Sequence, residues 1–467
     1  MQDENALREV AKDCVHCGFC LPACPTYQLW AEEMDSPRGR IHLVSQILDG
    51  APLSETAAEH FDRCLGCMAC MTACPSGVRY DQLIEAARVW TEQARSAPAA
   101  PAAPSPGSAA RRLRDRATRA AIFAVFPYPR RLRALAGPQR AAQRAGLDRR
   151  LARSGLPGRL SPALGAALRL AAGGAAPGGA APGGAAAGVA ATARRLPERV
   201  AARGSRRAVV GMLTGCVQSV FFPQVNAATA RVLAAEGCDV IIPRGQGCCG
   251  ALSLHAGREA EAAAFARRTI ATFEQAGVDA IVVNSAGCGS AMKEYGRLLA
   301  SPGASAFSGK VRDLAEFLAE LGPAAPRHPL PVTAAYHDAC HLGHAQRITR
   351  QPRELLRAIP GLNLVELGDA GTCCGSAGVY NLLQPEAAAE LGSRKADAVL
   401  AAGAPLVVSA NPGCSLQIAA ALAARGEQVA VAHTAEVLDA SIRGRAGWPA
   451  PPGAGPEGPA SPPQRRG

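Results

Sequence analysis

The sequence predicts a multidomain α+β protein: a small helical domain at the N-terminus, then a duplicated α/β unit with parallel strands. Three observations carry this. Residues 1–95 hold two four-cysteine runs set among helix-type sequence. Beyond Arg207, short apolar runs alternate with helical stretches, the alternation of a parallel sheet covered by helices. That alternation occurs twice, and its cysteines recur at a nearly constant offset.

A chain of 467 residues has room for roughly two to four domains. The expected boundaries are 1–95 for the helical domain, 96–207 for a linker, 208–325 and 330–445 for the two α/β halves, and 446–467 for a Pro/Gly-rich disordered tail. The first residues, MQDENALREVAKDC, are polar and lack the charged-then-apolar order of a secretory signal. No run of 18 or more apolar residues lacks charges or helix breakers, so no transmembrane helix is predicted. A cytoplasmic protein is expected, with its 17 cysteines kept reduced. Grouped thiols then read as metal ligands. Cys238 alone reads as an ordinary buried cysteine, and the others fall into two sets of eight.

In the helical domain, DCVHCGFCLPACP places Cys14, Cys17, Cys20 and Cys24, and RCLGCMACMTACP places Cys64, Cys67, Cys70 and Cys74. Each is the C-x2-C-x2-C-x3-C-P run of bacterial-type ferredoxins, in which the fourth cysteine crosses to the other cluster. Cys14, Cys17, Cys20 and Cys74 are therefore expected to hold one [4Fe–4S] cluster, and Cys64, Cys67, Cys70 and Cys24 the other. Zinc sites present ligands in pairs, which two Pro-closed runs of four do not. Between the runs, Ser36 suits a helix N-cap and Pro37 the first helical position. This inserted helix indicates the α-helical ferredoxin variety. Arg38 and Arg40 read equally as contacts to cluster or partner and as a solvated helix start.

The middle segment concentrates the positive charge. The net charge is +12, yet Ala97–Arg207 holds 21 Arg, no Lys and three acids, leaving −6 for the rest. Arg111–Leu135 reads as a basic amphipathic helix cut at Pro127 and Pro129. Ala171–Gly188 is low-complexity linker. A solvated linker is favoured over docking on anionic lipid, which would place the protein peripherally on the inner face of the membrane. No recognition module accompanies the charge, so nucleic acid is not an expected partner.

The strands expected in the first half are RAVVGML, CDVIIP and DAIVVNS, and in the second PVTAAYH, LNLVEL and PLVVSAN. Cys216 matches Cys340 at offset 124, Cys248 and Cys249 match Cys373 and Cys374 at 125, and Cys288 matches Cys414 at 126. Loops at the carboxyl ends of parallel strands converge on one sheet edge. Four thiols should therefore meet in each half: Cys216, Cys248, Cys249 and Cys288, then Cys340, Cys373, Cys374 and Cys414.

These two halves resemble the cysteine-rich CCG domains of heterodisulfide reductase subunits and their relatives. That family often closes with CxxC, where this chain has Ser285-Ala-Gly-Cys288 and Asn411-Pro-Gly-Cys414. A five-cysteine, non-cubane site is not expected; a conventional cluster, zinc and an empty thiol site stay open. His337 and His341 flank Cys340 as ligand or proton-carrier candidates, with structural packing the favoured reading. Taken whole, HCGFCLPACPTYQL, MDSPRGRI, TGCVQ, GQGCCGAL, NSAGCGSAMKEYG, YHDACHLGHAQ and GTCCGSAGVYN resemble the iron–sulfur subunits of glycolate oxidase (glycolate dehydrogenase). The resemblance implies an electron-transfer subunit without catalytic residues of its own. Its partners would be FAD-containing subunits that oxidise glycolate to glyoxylate, and a quinone or other membrane acceptor. Related lactate and glycerol-3-phosphate dehydrogenase subunits share the domain order. A heterodisulfide-type thiol reductase and a zinc-binding scaffold are the readings of other classes.

Overall fold

The computed structural model describes residues 4–96, 108–144, 162–174 and 196–445 except Ala370, together with Arg150 and Trp448. The Ala-rich stretch 175–188 and most of the tail after residue 445 lie outside the described residues.

The N-terminal domain is a helical wrap around two cysteine loops. Helices Glu4–Lys12, Pro37–Leu48, Glu55–Arg63 and Tyr80–Ser96 turn their apolar stripes inward, and Leu7, Ile41, Val44, Phe61, Leu83 and Ile84 form the core. The inserted helix starts at Ser36, whose Oγ accepts the Gly39 N–H at 3.0 Å, with Pro37 in the first turn. Arg40, three residues into that helix, is not a solvated residue. It is 1 % exposed and donates to the His60 carbonyl at 2.7 Å, Thr26 Oγ1 at 3.1 Å and Asp35 Oδ1 at 3.2 Å. Asp35 also takes Arg63 at 3.0 Å and His60 at 2.9 Å. A buried guanidinium needs partners on every side, and this network supplies them from three other segments. Arg38 does sit at the surface edge, bonded to Glu33 and to the His16 carbonyl.

The α/β part forms two sheets. Strands β1 (Arg199–Val200), β2 (Ala208–Leu213), β3 (Cys238–Ile241), β4 (Ala280–Val283) and β5 (Val311–Asp313) run in the order β1-β3-β2-β4-β5. Strands β6 (Val332–His337), β7 (Leu362–Glu366), β8 (Leu406–Ser409) and β9 (Ala430–His433) run β7-β6-β8-β9. All pairings are parallel except the edge strand β1 against β3. Near-continuous apolar strands such as AIVV and LVVS fit sheets covered on both faces. The central strand of each sheet, β2 or β6, ends three residues before a cysteine, Cys216 or Cys340. One core spans both sheets, with Val210, Met212 and Val282 joined to Ala334, Tyr336 and Val408. Arg231 on helix Pro223–Ala235 clamps Asp439 on Thr434–Ile442 through two bonds of 2.8 and 2.7 Å.

The middle segment corrects the expectation of a wholly solvated linker. It forms helices Ser108–Val125, Pro129–Arg144 and Pro162–Gly174, with the break at the two prolines. Ile122, Phe123 and Ala166 are buried against Val379 and Leu382 of the second half. Leu132 packs on Val220 of the first half. Arg119 lies among Asp62, Glu92 and Asp115, so part of the arginine charge is locally neutralised.

Candidate metal centres

All 17 cysteines are free thiols, and sixteen are gathered at three places. In the N-terminal domain, Cys14, Cys17, Cys20 and Cys74 line one cavity with Cys70, Pro75 and Tyr80. Cys17 is exposed there, beside Val15 at 68 % and Phe19 at 65 % exposure. Cys64, Cys67 and Cys70 are buried, and Cys24 lies with them: the fields of Cys67, Cys64, Cys24 and Cys20 all reach Cys70. Burial first, and these neighbours next, push the Cys70 thiol well up. Thiolates so crowded and dry need a cationic core to be stable, so the residues fit an iron–sulfur group.

Cys64 runs the other way. Burial would raise it, but Arg40 and Arg88, with bonds from Tyr80 Oη at 3.5 Å and Gly66 N–H at 3.4 Å, hold it below the usual thiol value. Thr26 Oγ1 lies 3.3 Å from Cys24 Sγ and hands the Arg40 network to that ligand. Arg88 donates from Nη2 to the Cys64 carbonyl at 2.7 Å, while its buried Nη1 has no hydrogen-bond partner. These arginines and hydroxyls could be read as helix residues in the sequence; their convergence on one thiol required the fold.

In each α/β half the four predicted thiols do meet. Cys216 Sγ is 3.7 Å from Cys248 Sγ, Cys248 adjoins Cys249, and Cys249 adjoins Cys288. The second half repeats the chain Cys340–Cys373–Cys374–Cys414. The glycine after each cysteine pair has φ near +90° (Gly250 +89°, Gly375 +86°), and a Cβ there would meet the Ala262 or Ala388 carbonyl at 3.0 or 2.7 Å. Only glycine permits this turn. The letters Gly245–Gly250 also spell G-x-G-x-x-G, but the helix they open is five residues long and two thiols fill the turn. A turn filled by two thiols is not a phosphate cradle. Ser285 and Asn411, which replace the fifth cysteine, face each other across the halves: Asn411 Oδ1 is 3.4 Å from Ser285 Oγ and accepts the Gly287 N–H at 3.3 Å.

The dicluster domain abuts both halves. Leu65 and Cys67 share a packed cluster with Cys340, Cys373 and Tyr380, and Tyr380 Oη donates to the Arg63 carbonyl at 3.1 Å. Helix Tyr80–Ser96 lies on the first half so closely that a Cβ at Gly257 would stand 2.1 Å from the Arg88 carbonyl. His255 and His341 stack at 4.7 Å between ring centres in this junction, and burial holds both neutral.

A helical dicluster domain joined to two thiol-bearing α/β halves defines an iron–sulfur redox protein. Comparison with known proteins agrees: a 4Fe-4S dicluster domain model matches residues 10–78, and a cysteine-rich CCG domain model matches 210–293 and 334–419. The linker region of glycolate oxidase iron–sulfur subunits matches 114–171. The chain is 34 % identical over 444 residues to the "Probable glycolate oxidase iron-sulfur subunit" of Bacillus subtilis, covering 91 % of this chain and 93 % of that one. It is 33 % identical to the glycolate oxidase iron-sulfur subunit of Escherichia coli, covering 94 % and 97 %. A lactate utilization protein A of Exiguobacterium is 31 % identical, over 50 % of this chain and 98 % of its own. The chain belongs to the family of glycolate oxidase iron–sulfur subunits. No helix among the described residues is long and apolar enough to cross a membrane.

Proposed function

We propose that this chain is the electron-carrying subunit of an FAD-dependent glycolate dehydrogenase. The flavin and the glycolate site belong to partner subunits, and the electrons go on to a quinone or other membrane acceptor. Cys14, Cys17, Cys20 and Cys74 hold one [4Fe–4S] cluster, and Cys64, Cys67, Cys70 and Cys24 the other. Bound there, these clusters supply one-electron redox chemistry. The observation that carries the reading is the order of the thiols. Cys17 stands exposed at a surface with Val15 and Phe19, its cavity reaches Cys70, and the buried Cys67 packs against Cys340 and Cys373. Such an order joins a docking edge to the protein interior.

The chain's own residues set the surroundings. The apolar rim at Val15 and Phe19 excludes water when a partner covers it. Arg40, Arg88 and Tyr80 place positive charge and hydrogen bonds at Cys64 and Cys24, which favours the more negative, reduced state.

The test is co-expression with FAD-binding subunits encoded beside this chain. Purified anaerobically, the complex should carry eight or more iron atoms per chain and be reduced by glycolate faster than by lactate. Reduction by lactate alone would move the assignment to the lactate-oxidising relatives. Absence of iron in folded protein would end the electron-transfer reading.

A further inference from the structure

The two CCG halves are near copies in their thiols but differ at one position beside them. Strand β2 ends in Leu213 and strand β6 in His337, each three residues before the first cysteine of its half. Leu213 is 2 % exposed and His337 1 %. His337, Cys374 and Cys414 each bring a ligand atom to one point, all within 4.8 Å of one another. Neither ring nitrogen of His337 has a hydrogen-bond partner, although buried imidazoles ordinarily have one. Lys395 acts on the same ring, but it is engaged by Asp369 at 2.6 Å. A buried imidazole whose two nitrogens lack partners, set beside two thiols, is a metal ligand in type and position.

The donor types and their closeness fit a single ion. Donors of one tetrahedral zinc ion at ~2.3 Å stand about 3.8 Å apart, and donors confined within 4.8 Å match that. Thiolates on separate corners of a cubane stand wider. We propose that the second CCG half holds a single zinc-class divalent cation on His337, Cys374 and Cys414, whereas the first half, with Leu213 in that place, presents sulfur ligands alone. Cys373 is the nearest thiol in chain to fill the fourth position. Such an ion is held by thiolate sulfur and neutral imidazole nitrogen. The halves have thus diverged in cargo, and the second centre, which Cys67 abuts, is redox-inert as a metal.

This rests on reading the second-half thiols as a metal site, and iron in the N-terminal domain is scored separately. The experiment takes full-length protein, purified anaerobically from zinc- and iron-replete cells, and measures both metals and the zinc X-ray absorption spectrum. We expect one zinc per chain with imidazole scattering, beside the ferredoxin iron. His337→Leu, which installs the residue of the first half, should cut zinc at least tenfold and leave that iron unchanged. Zinc below a tenth per chain in the unaltered protein overturns the proposal, as does zinc with sulfur scattering only. Zinc retained by His337→Leu overturns it too. Because the spectrum is read on the unaltered chain, a variant that fails to fold does not rescue the idea. Loss of iron with zinc retained would instead strike the electron-transfer reading alone.

Discussion

Replacing Arg88 with leucine should lower the reduction potential of the cluster held by Cys64, Cys67, Cys70 and Cys24. Arg88 is 8 % exposed and has no ion-pair partner among the described contacts; its Nη2 meets the Cys64 carbonyl at 2.7 Å. Adding the span of one residue puts the charge ~7 Å from the Cys64 sulfur. At an effective dielectric of about 20, one charge at that distance is worth roughly 2.4 kcal/mol. With about 2.3 kcal/mol per electron per 100 mV, the shift is on the order of 100 mV downward. Arg40 is a poorer probe, because Asp35 offsets its charge. The assay is an EPR-monitored redox titration, with Arg88→Lys as the variant that keeps the charge. Lysine should recover more than half of the shift. The carbonyl loses a charged donor in Arg88→Leu, so stability should fall by about 1–3 kcal/mol, and iron content checks that the cluster is intact. A shift under 20 mV with iron retained, or any upward shift, would refute the electrostatic reasoning.

Gly257→Ala should loosen the seat of the N-terminal domain, since φ is +77° and the added Cβ would lie 2.1 Å from the Arg88 carbonyl; faster proteolysis at the domain junction, with a loss above about 1–2 kcal/mol, is the expected readout. Phe19→Asp should leave iron and melting temperature unchanged while slowing reduction by the flavin subunit at least tenfold, because Phe19 is 65 % exposed beside Cys17. Asp313 is pushed up to about 7, chiefly by burial, despite its bond from the Ala315 N–H. A carboxyl whose folded value is raised makes the folded state bind the extra proton, so its contribution is full below pH 4 and is lost as pH rises through 7. Urea titrations from pH 5 to 8 should show about 2–3 kcal/mol less stability at the upper end, and Asp313→Asn should flatten that slope.

Much of this was legible in the chain. The paired ferredoxin runs point to a dicluster domain by spacing and the Ser36–Pro37 insert to its helical variety, while the offsets of 124 to 126 reveal two halves whose six apolar runs became β2, β3, β4, β6, β7 and β8. Strands β1, β5 and β9 escaped, being two to four residues long and lacking any period to detect. Arg40 escaped because its partners Thr26, Asp35 and His60 span three other segments. The apolar residues Ile122, Phe123 and Leu132 were visible among arginines, but only tertiary packing decides that they are buried. His337 is legible as a candidate by its place beside Cys340, and the duplicated pattern marks it further, with Leu213 standing against His337.

The middle helices touch every part of the molecule. Arg119 reaches Asp62 and Glu92 of the dicluster domain, Phe123 lies under Arg258 and Leu132 on Val220 of the first half, and Ile122 rests on the second. They act as a strap that holds the dicluster domain in one place on the two halves. A carrier domain on a loose tether must search for its acceptor at each turnover, and its rate then falls as solvent viscosity rises. Here the seat of the carrier domain is set once, at folding, so passage between its own two clusters should be indifferent to added glycerol. Any viscosity dependence of the whole complex then belongs to encounters at the exposed Cys17 edge.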